Sequence, residues 1–354
     1  MKRTITIGAD GYFHPGTENE IQEAVWSALQ SAPPKQIRVR GSAHSVARAI
    51  YTDGYSGDGA LPDGPVNIML DSLRAIGQIT PIEGDPDHAM VEVEGGCNLG
   101  SDPYDPTGTS TLENSLNHTL QQAGWALDDM GGISHQTVSG FLSTGSSGGS
   151  IMYSVDDNVF GFNLIDGTGK LWVLNRNDPD PEMRDMFFAA GVSMGLLGII
   201  SKVRLRVRRA FNLSGSQDTG AIAGNPIVDL FGPGTAEIPS FEKFLRDTPY
   251  TRLMWWPQYG FERVQVWQAQ RIDPTPGFTP KPYVEIDQLQ SLAGSLFYTI
   301  IGNLDNLPAA RSKLNTWFEH FCETISDASD SNAPSQSTPE MTIARKITRE
   351  DLLA

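Results

Sequence analysis

The sequence predicts an α+β protein in two parts, residues 1–210 and 211–354. Two features of the first part suggest this: helical and alternating apolar periods take turns along it, and small-residue turns interrupt it at 41–45, 131–150 and 191–198. The third is a change of texture near residue 210, beyond which aromatic strand-like runs and a Ser/Pro/Asp-rich stretch take over. With 36 Gly and 23 Pro the composition suits turn-rich α+β architecture, and 354 residues are enough for two ordinary cores.

Thr17 to Ala32 reads as a helix. Thr17 and Glu20 make a capping box, Ile21, Ala24, Val25, Ala28 and Leu29 share one face, and Pro33-Pro34 ends it. IRVR (37–40) is a strand leading into the turn RGSAHS, and Val66–Leu70 and Ala89–Glu94 are further strands. After the loop 100–109, a second helix is expected over Thr111–Ala123, capped by Ser110 and Glu113 and stopped at Gly124. Residues 160–165 and 171–174 flank the turn Asp166-Gly167-Thr168-Gly169 as a hairpin, and 195–208 is a turn followed by a long strand. In the second part, LMWW and RVQVWQA form a hairpin across PQYGFE, Glu242–Leu245 starts a helix, and Asp305–Thr324 is another. Residues 327–339 form a linker with almost nothing apolar.

Composition removes several functions. Acidic residues outnumber basic ones 42 to 26, for a net charge of −16, and so negative a surface repels nucleic acid. No signal peptide and no membrane span is read, so a soluble, by default cytoplasmic protein is expected. Cys97 and Cys322 have neither metal nor redox spacing, and His14, His88, His118, His135 and His320 form no ligand pair, so no metal is expected. Of these, His135 reads as a loop-surface residue. Small-residue turns let a backbone approach a phosphate, but there is no GxxxxGK[ST], and GSSGGS and GVSMGLLG lack Rossmann spacing.

Three stretches taken in order are more specific. FHPGTENEIQEAV with IRVRGSAHS, then GGISHQTVSGFLSTGSSGGS, then GLLGIISKVRLRV resemble the vanillyl-alcohol oxidase (PCMH-type) family of FAD-binding proteins over residues 10–210. The resemblance implies a two-subdomain FAD-binding domain. It places Arg40, Gly41, Ser42, Ala43, His44 and Ser45 in a pyrophosphate loop, with His44 joined covalently to the flavin; Ala43 stands where Gly is commoner. It also implies FAD contacts from Gly132, Ser134, Thr137, Gly140, Ser143, Thr144, Gly145 and Gly148, and from Gly198, Ile199 and Ile200 near the adenine. The second loop carries Asp128 and Asp129 but no Cys, so a single covalent bond is expected. Gly131, where an Ala hinders oxygen in related sugar-lactone enzymes, implies an oxygen path.

The stretch TRLMWWPQYGFERVQVWQAQR (251–271) is similar to the cap hairpin of aldonolactone and alditol oxidases. This implies an antiparallel-sheet-and-helix substrate domain, with Trp255, Trp256 and Trp267 as pocket or core residues and Glu262, Arg263 and Arg271 as substrate contacts or solvated charges. TPEMTIARKITREDLLA resembles a segment from the middle of that cap, which implies an incomplete cap and a second polypeptide that completes it. The implied activity is oxidation of a sugar, polyol or sugar lactone, with molecular oxygen as acceptor and no catalytic base assigned. A dehydrogenase using a quinone or cytochrome, and a non-catalytic flavin-binding subunit, remain open.

Overall fold

The computed structural model describes residues 5–53, 64–256 and 262–274. The helix at 305–324 and the linker at 327–339 lie outside them, as does Cys322. The chain falls into two units. The first holds residues 1–128, 134–147 and 155–210, and the second 129–133, 148–154 and everything from Phe211.

The first unit begins with a three-stranded parallel sheet of β1 (Tyr12–Phe13), β2 (Ile37–Arg40) and β3 (Val66–Met69), in the order β1-β3-β2. Helix α1 (Glu18–Leu29) and the single turn α2 (Ala47–Ile50) flank β2. The expected capping box forms: Thr17 Oγ1 accepts from the Glu20 N–H (3.2 Å), while the Glu20 carboxylate turns back to the Gly16 N–H (2.6 Å). Ile21, Ala24, Val25 and Ala28 are buried as their spacing predicts and pack on Val66, Ile68 and Leu70. Leu29 departs from that face and is 42 % exposed.

Next comes an antiparallel six-stranded sheet built from β4 (Thr80–Ile82), β5 (Asp85–Glu94), β6 (Trp125–Ala126), β7 (Val159–Asp166), β8 (Leu171–Asn175) and β9 (Gly198–Arg209). Its helices are α3 (Leu116–Gln122), α4 (Val138–Ser143) and α5 (Pro181–Ala190). The long β9 pairs with β5, β6 and β7 and alternates buried Val203, Leu205 and Val207 with Arg204, Arg206 and Arg208. Glu18 locks α1 to this sheet, accepting from Asn163 Nδ2 (2.8 Å) and Ser201 Oγ (2.6 Å). The predicted 111–123 helix is shorter than expected, because side chains nearby offer the backbone an alternative. Asn114 Oδ1 takes the Thr111 N–H, Ser110 Oγ accepts from Asp102 N–H, and Ser115 is the actual N-cap.

In the second unit, β10 (Asn212–Ala221), β11 (Tyr250–Trp256) and β12 (Arg263–Ile272) form an antiparallel sheet in the order β10-β12-β11, with α6 (Phe241–Asp247) on its core of Val228, Phe244, Val264 and Val266. The 148–154 segment belongs here: Thr251 N–H donates to Gly149 O (3.1 Å), and Tyr153 stacks on Tyr250 at 5.3 Å. The Arg271 guanidinium lies 3.5 Å over the Tyr153 ring and donates to Tyr250 Oη, Trp267 donates to Gln217, and Trp255 is 53 % exposed. No helix among the described residues is long and apolar enough to cross a membrane.

His14 fastens the edge of the parallel sheet, with Nδ1 2.6 Å from Asp71 Oδ1 and Nε2 3.0 Å from Asp10 Oδ2. Burial alone would lower its pKa, but the hydrogen bonds and charges of Asp71 and Asp10 outweigh that and raise it above the ordinary 6.5. A raised folded-state pKa gives stability that is fully present below 6.5 and is lost as pH rises through the folded value. Wild-type melting temperature is therefore expected to fall over that window, and His14→Gln to flatten the fall, as read by thermal unfolding across a pH series.

Candidate functional site

A cavity of about 540 Å³ opens within the first unit beside the end of β2. That is within the roughly 300–1,000 Å³ usual for small-molecule sites. One wall is the turn Gly41–Ser45, a second is the start and end of α4 (Thr137, Gly140, Ser143, Thr144), and a third is the turn into β9 with Gly198, Ile199 and Ile200. Val25, Ala28 and Leu29 of α1 complete an apolar end with Leu196 and Leu197. The exposed Leu29 thus has a role that its helical spacing could not reveal.

The walls meet closely because their residues are small. A Cβ on Gly41 would lie 2.6 Å from Thr137 Oγ1, and one on Gly140 would lie 2.9 Å from the same atom. Thr137 needs that space, since its hydroxyl caps α4 by accepting from the Gly140 N–H (3.3 Å). Ala43 has φ 60°, a left-handed conformation that costs an L residue about 1 kcal/mol or more and suits glycine.

The electrostatics run against the chain as a whole. Among the described lining residues Asp166 is the one carboxylate, set against Lys35 and Arg38. Asp166 is also occupied: it accepts from Thr168 N–H and Oγ1, Lys170 N–H and Trp172 Nε1. Burial would raise its pKa, but these donors bring it down to about 2. Small-residue walls, hydroxyls, two cations and an apolar end are the donor set that a pyrophosphate attached to a planar ring requires. The residues fit FAD.

His44 is exposed on the turn, and its ring centroid lies 5.5 Å from that of His135. His135 is 1 % exposed, so the expected loop-surface role is wrong; the ring lies under His44 and meets the edge of Tyr104 at 5.9 Å. Burial, with His44 beside it, lowers the His135 pKa to about 4, so it is neutral at physiological pH. Its carbonyl joins the loops, accepting from Ser42 Oγ (2.6 Å) and Asn98 Nδ2 (2.6 Å). Asn98 Nδ2 also lies 3.2 Å from Ser42 Oγ. Buried Asp102 completes the group: burial raises its pKa, while the Tyr104 N–H, the Ser42 hydroxyl and His44 favour its charged form.

Other residues expected at the cofactor are not among those that line this cavity. Gly131 and Gly132 belong to the second unit, as does Gly148, where a Cβ would meet the Asp129 carboxylate at 2.1 Å. Arg40 packs over the Tyr12 ring, buried Ser134 supplies its carbonyl to the Gly100 N–H (2.6 Å), and Gly145 ends α4 with φ +62°. Asp102 and Tyr104 were missed because they stand in a Pro/Gly/Asp loop with no motif of its own, and Asn98 because it lies just before that loop. Arg38 was read only as part of a strand, and Lys35 was not singled out.

Residues 109–175 match the FAD binding domain family. The chain is 30% identical over 208 residues to D-arabinono-1,4-lactone oxidase of Eremothecium gossypii, a match covering 58% of this chain and 33% of that one. To L-gulonolactone oxidase of Mus musculus it is 22% identical over 258 residues, covering 72% and 47%. The matched part is thus between a third and a half of these relatives' length. A crystal structure of cholesterol oxidase from Brevibacterium sterolicum superposes with a TM-score of 0.60 at 15% identity, covering 88% of this chain and 56% of that one. Sequence, relatives and fold agree: residues 109–175 match an FAD-binding domain, and the fold is shared with that cholesterol oxidase.

Proposed function

We propose that the chain is the FAD-binding part of an oxidase of a sugar, polyol or sugar lactone, with FAD in the cavity of the first unit and joined covalently to His44. The observation that carries this is the cavity itself, a net-cationic pocket walled by small residues in a protein of net charge −16. The names of the relatives favour a sugar lactone within the broader class.

In this reading the backbone of Gly41–Ser45 and the hydroxyls of Thr137, Ser143 and Thr144 hold the pyrophosphate, and Lys35 and Arg38 balance its charge. Leu29, Leu196 and Leu197 cover the apolar ring at the far end. His44, at the rim, fixes the cofactor in place and prevents its loss. FAD, when bound, takes a hydride from a carbon bearing a hydroxyl and passes the electrons to molecular oxygen, which leaves as hydrogen peroxide. Gly131 keeps a path open for that oxygen. The β10–β12 sheet of the second unit belongs to the substrate domain.

Three measurements test this. Purified full-length protein, with any co-purifying polypeptide, is expected to consume oxygen and form peroxide with aldono-1,4-lactones or polyols. Reduction of a quinone or cytochrome without oxygen uptake would favour a dehydrogenase, and Gly131→Ala should slow reoxidation by oxygen without slowing reduction by substrate. Gly41→Ala drives a methyl group into Thr137 and should cost about 1–3 kcal/mol while lowering FAD content, as read by denaturant unfolding and flavin absorbance.

A further inference from the structure

We infer that Arg271 is a positioning residue that couples occupancy of the FAD cavity to the β10–β12 sheet, by clamping the 148–154 segment that runs on from the cavity wall. The inference rests on the reading that FAD fills the cavity beside α4.

The segment is held from both ends. On the cavity side, Ser143, Thr144 and Ser146 are lining residues. Ser146 Oγ accepts from Gln136 Nε2 (2.9 Å) and lies 3.0 Å from Thr144 Oγ1. Two residues later the chain belongs to the second unit. There Gly148 lies against the Asp129 carboxylate, and Gly149 O accepts from the Thr251 N–H of β11 (3.1 Å). A Cβ on Gly149 would run into the Thr251 carbonyl, so this approach requires glycine. Ser150 Oγ then accepts from the N–H groups of Met152 and Tyr153, each at 3.0 Å, in a turn that sets the direction of the Tyr153 ring.

Arg271 holds that ring. Its guanidinium lies 3.5 Å from the Tyr153 ring centroid and 4.5 Å from that of Phe211, and its Nε donates to Tyr250 Oη (2.5 Å). Tyr250 in turn stacks on Tyr153 at 5.3 Å and on Phe211 at 6.2 Å. Phe211 precedes β10, Tyr250 opens β11 and Arg271 lies near the end of β12, so the clamp gathers one end of the sheet onto the segment. A planar guanidinium can stack and donate in its own plane at once, which a Lys ammonium cannot.

The coupling follows from entropy. A pyrophosphate that orders Thr144 and Ser146 also restricts the few residues before Gly149. Docking of Gly149 on β11 and of Tyr153 in the clamp then costs less, and the sheet opens less often.

The test is hydrogen exchange on full-length protein made without flavin, with and without added FAD, read by mass spectrometry of peptides from α4 and from β11. In wild type, FAD should slow exchange in α4 and, by about fivefold or more, in β11. Arg271→Ala, Arg271→Lys and Tyr153→Ala should keep the slowing in α4 and lose it in β11, whereas Tyr153→Phe, which keeps the ring, should behave as wild type. The ratio with and without FAD is taken within each variant, so a general loss of stability does not imitate the effect, and Tyr153→Leu replaces an alanine variant that does not fold. A β11 that ignores FAD in wild type, or one still slowed by FAD in the clamp variants, would overturn the role of Arg271 while slowing in α4 leaves the FAD reading intact. No slowing in α4 of wild type would overturn both.

Discussion

The site depends on one junction, where the Ser42 hydroxyl and the Asn98 amide both donate to the carbonyl of His135. It joins three parts of the chain that are far apart in sequence: the turn after β2, the loop after β5 and the approach to α4. Each such bond contributes about 0.5–1.5 kcal/mol net, and leaving the buried carbonyl without them would cost about 1–3 kcal/mol. The junction lies beside the close approach of Gly41 to Thr137, where two walls of the cavity meet. A side chain on Gly41 would have to displace the Thr137 hydroxyl, so the smallness of that residue and the polarity of its neighbour are linked.

Charge is the second constraint. A chain of net charge −16 can hold a pyrophosphate only by keeping carboxylates away from it. The cavity does so in two ways: Asp166 is tied into its own turn by Thr168, Lys170 and Trp172, and Lys35 and Arg38 stand on the strand side. His135 shows the same economy. Buried and neutral, it supports the ring of His44 without adding charge of its own.

Much of the fold was legible because its elements announce themselves locally. The face and cap of α1, the alternation along β9, and the Asp166–Gly169 turn between β7 and β8 are all encoded within a dozen residues. Strand β10 was not legible. NLSGSQDTGA has little apolar content, and its extended form follows from pairing with β12 along its whole length. The late start of α3 turned on Asn114, whose side chain takes the Thr111 N–H, and on Ser110, whose hydroxyl accepts from the Asp102 N–H instead of capping a helix. For the site, the turn at 41–45, the helix start at Thr137 and the entry to β9 could be named by resemblance and do line one cavity. Burial of His135 and the convergence of Asn98 and Asp102 on Ser42 are long-range facts that no local pattern carries.

The most direct test of this account is a crystal structure of the full-length protein purified with its flavin. The account predicts the FAD pyrophosphate against Gly41–Ser45 and Thr137–Thr144, the adenine end near Leu196–Ile200, and continuous density from His44 to the flavin. A protein that purifies without flavin even with its full complement of polypeptides, or a flavin bound outside this cavity, would contradict it.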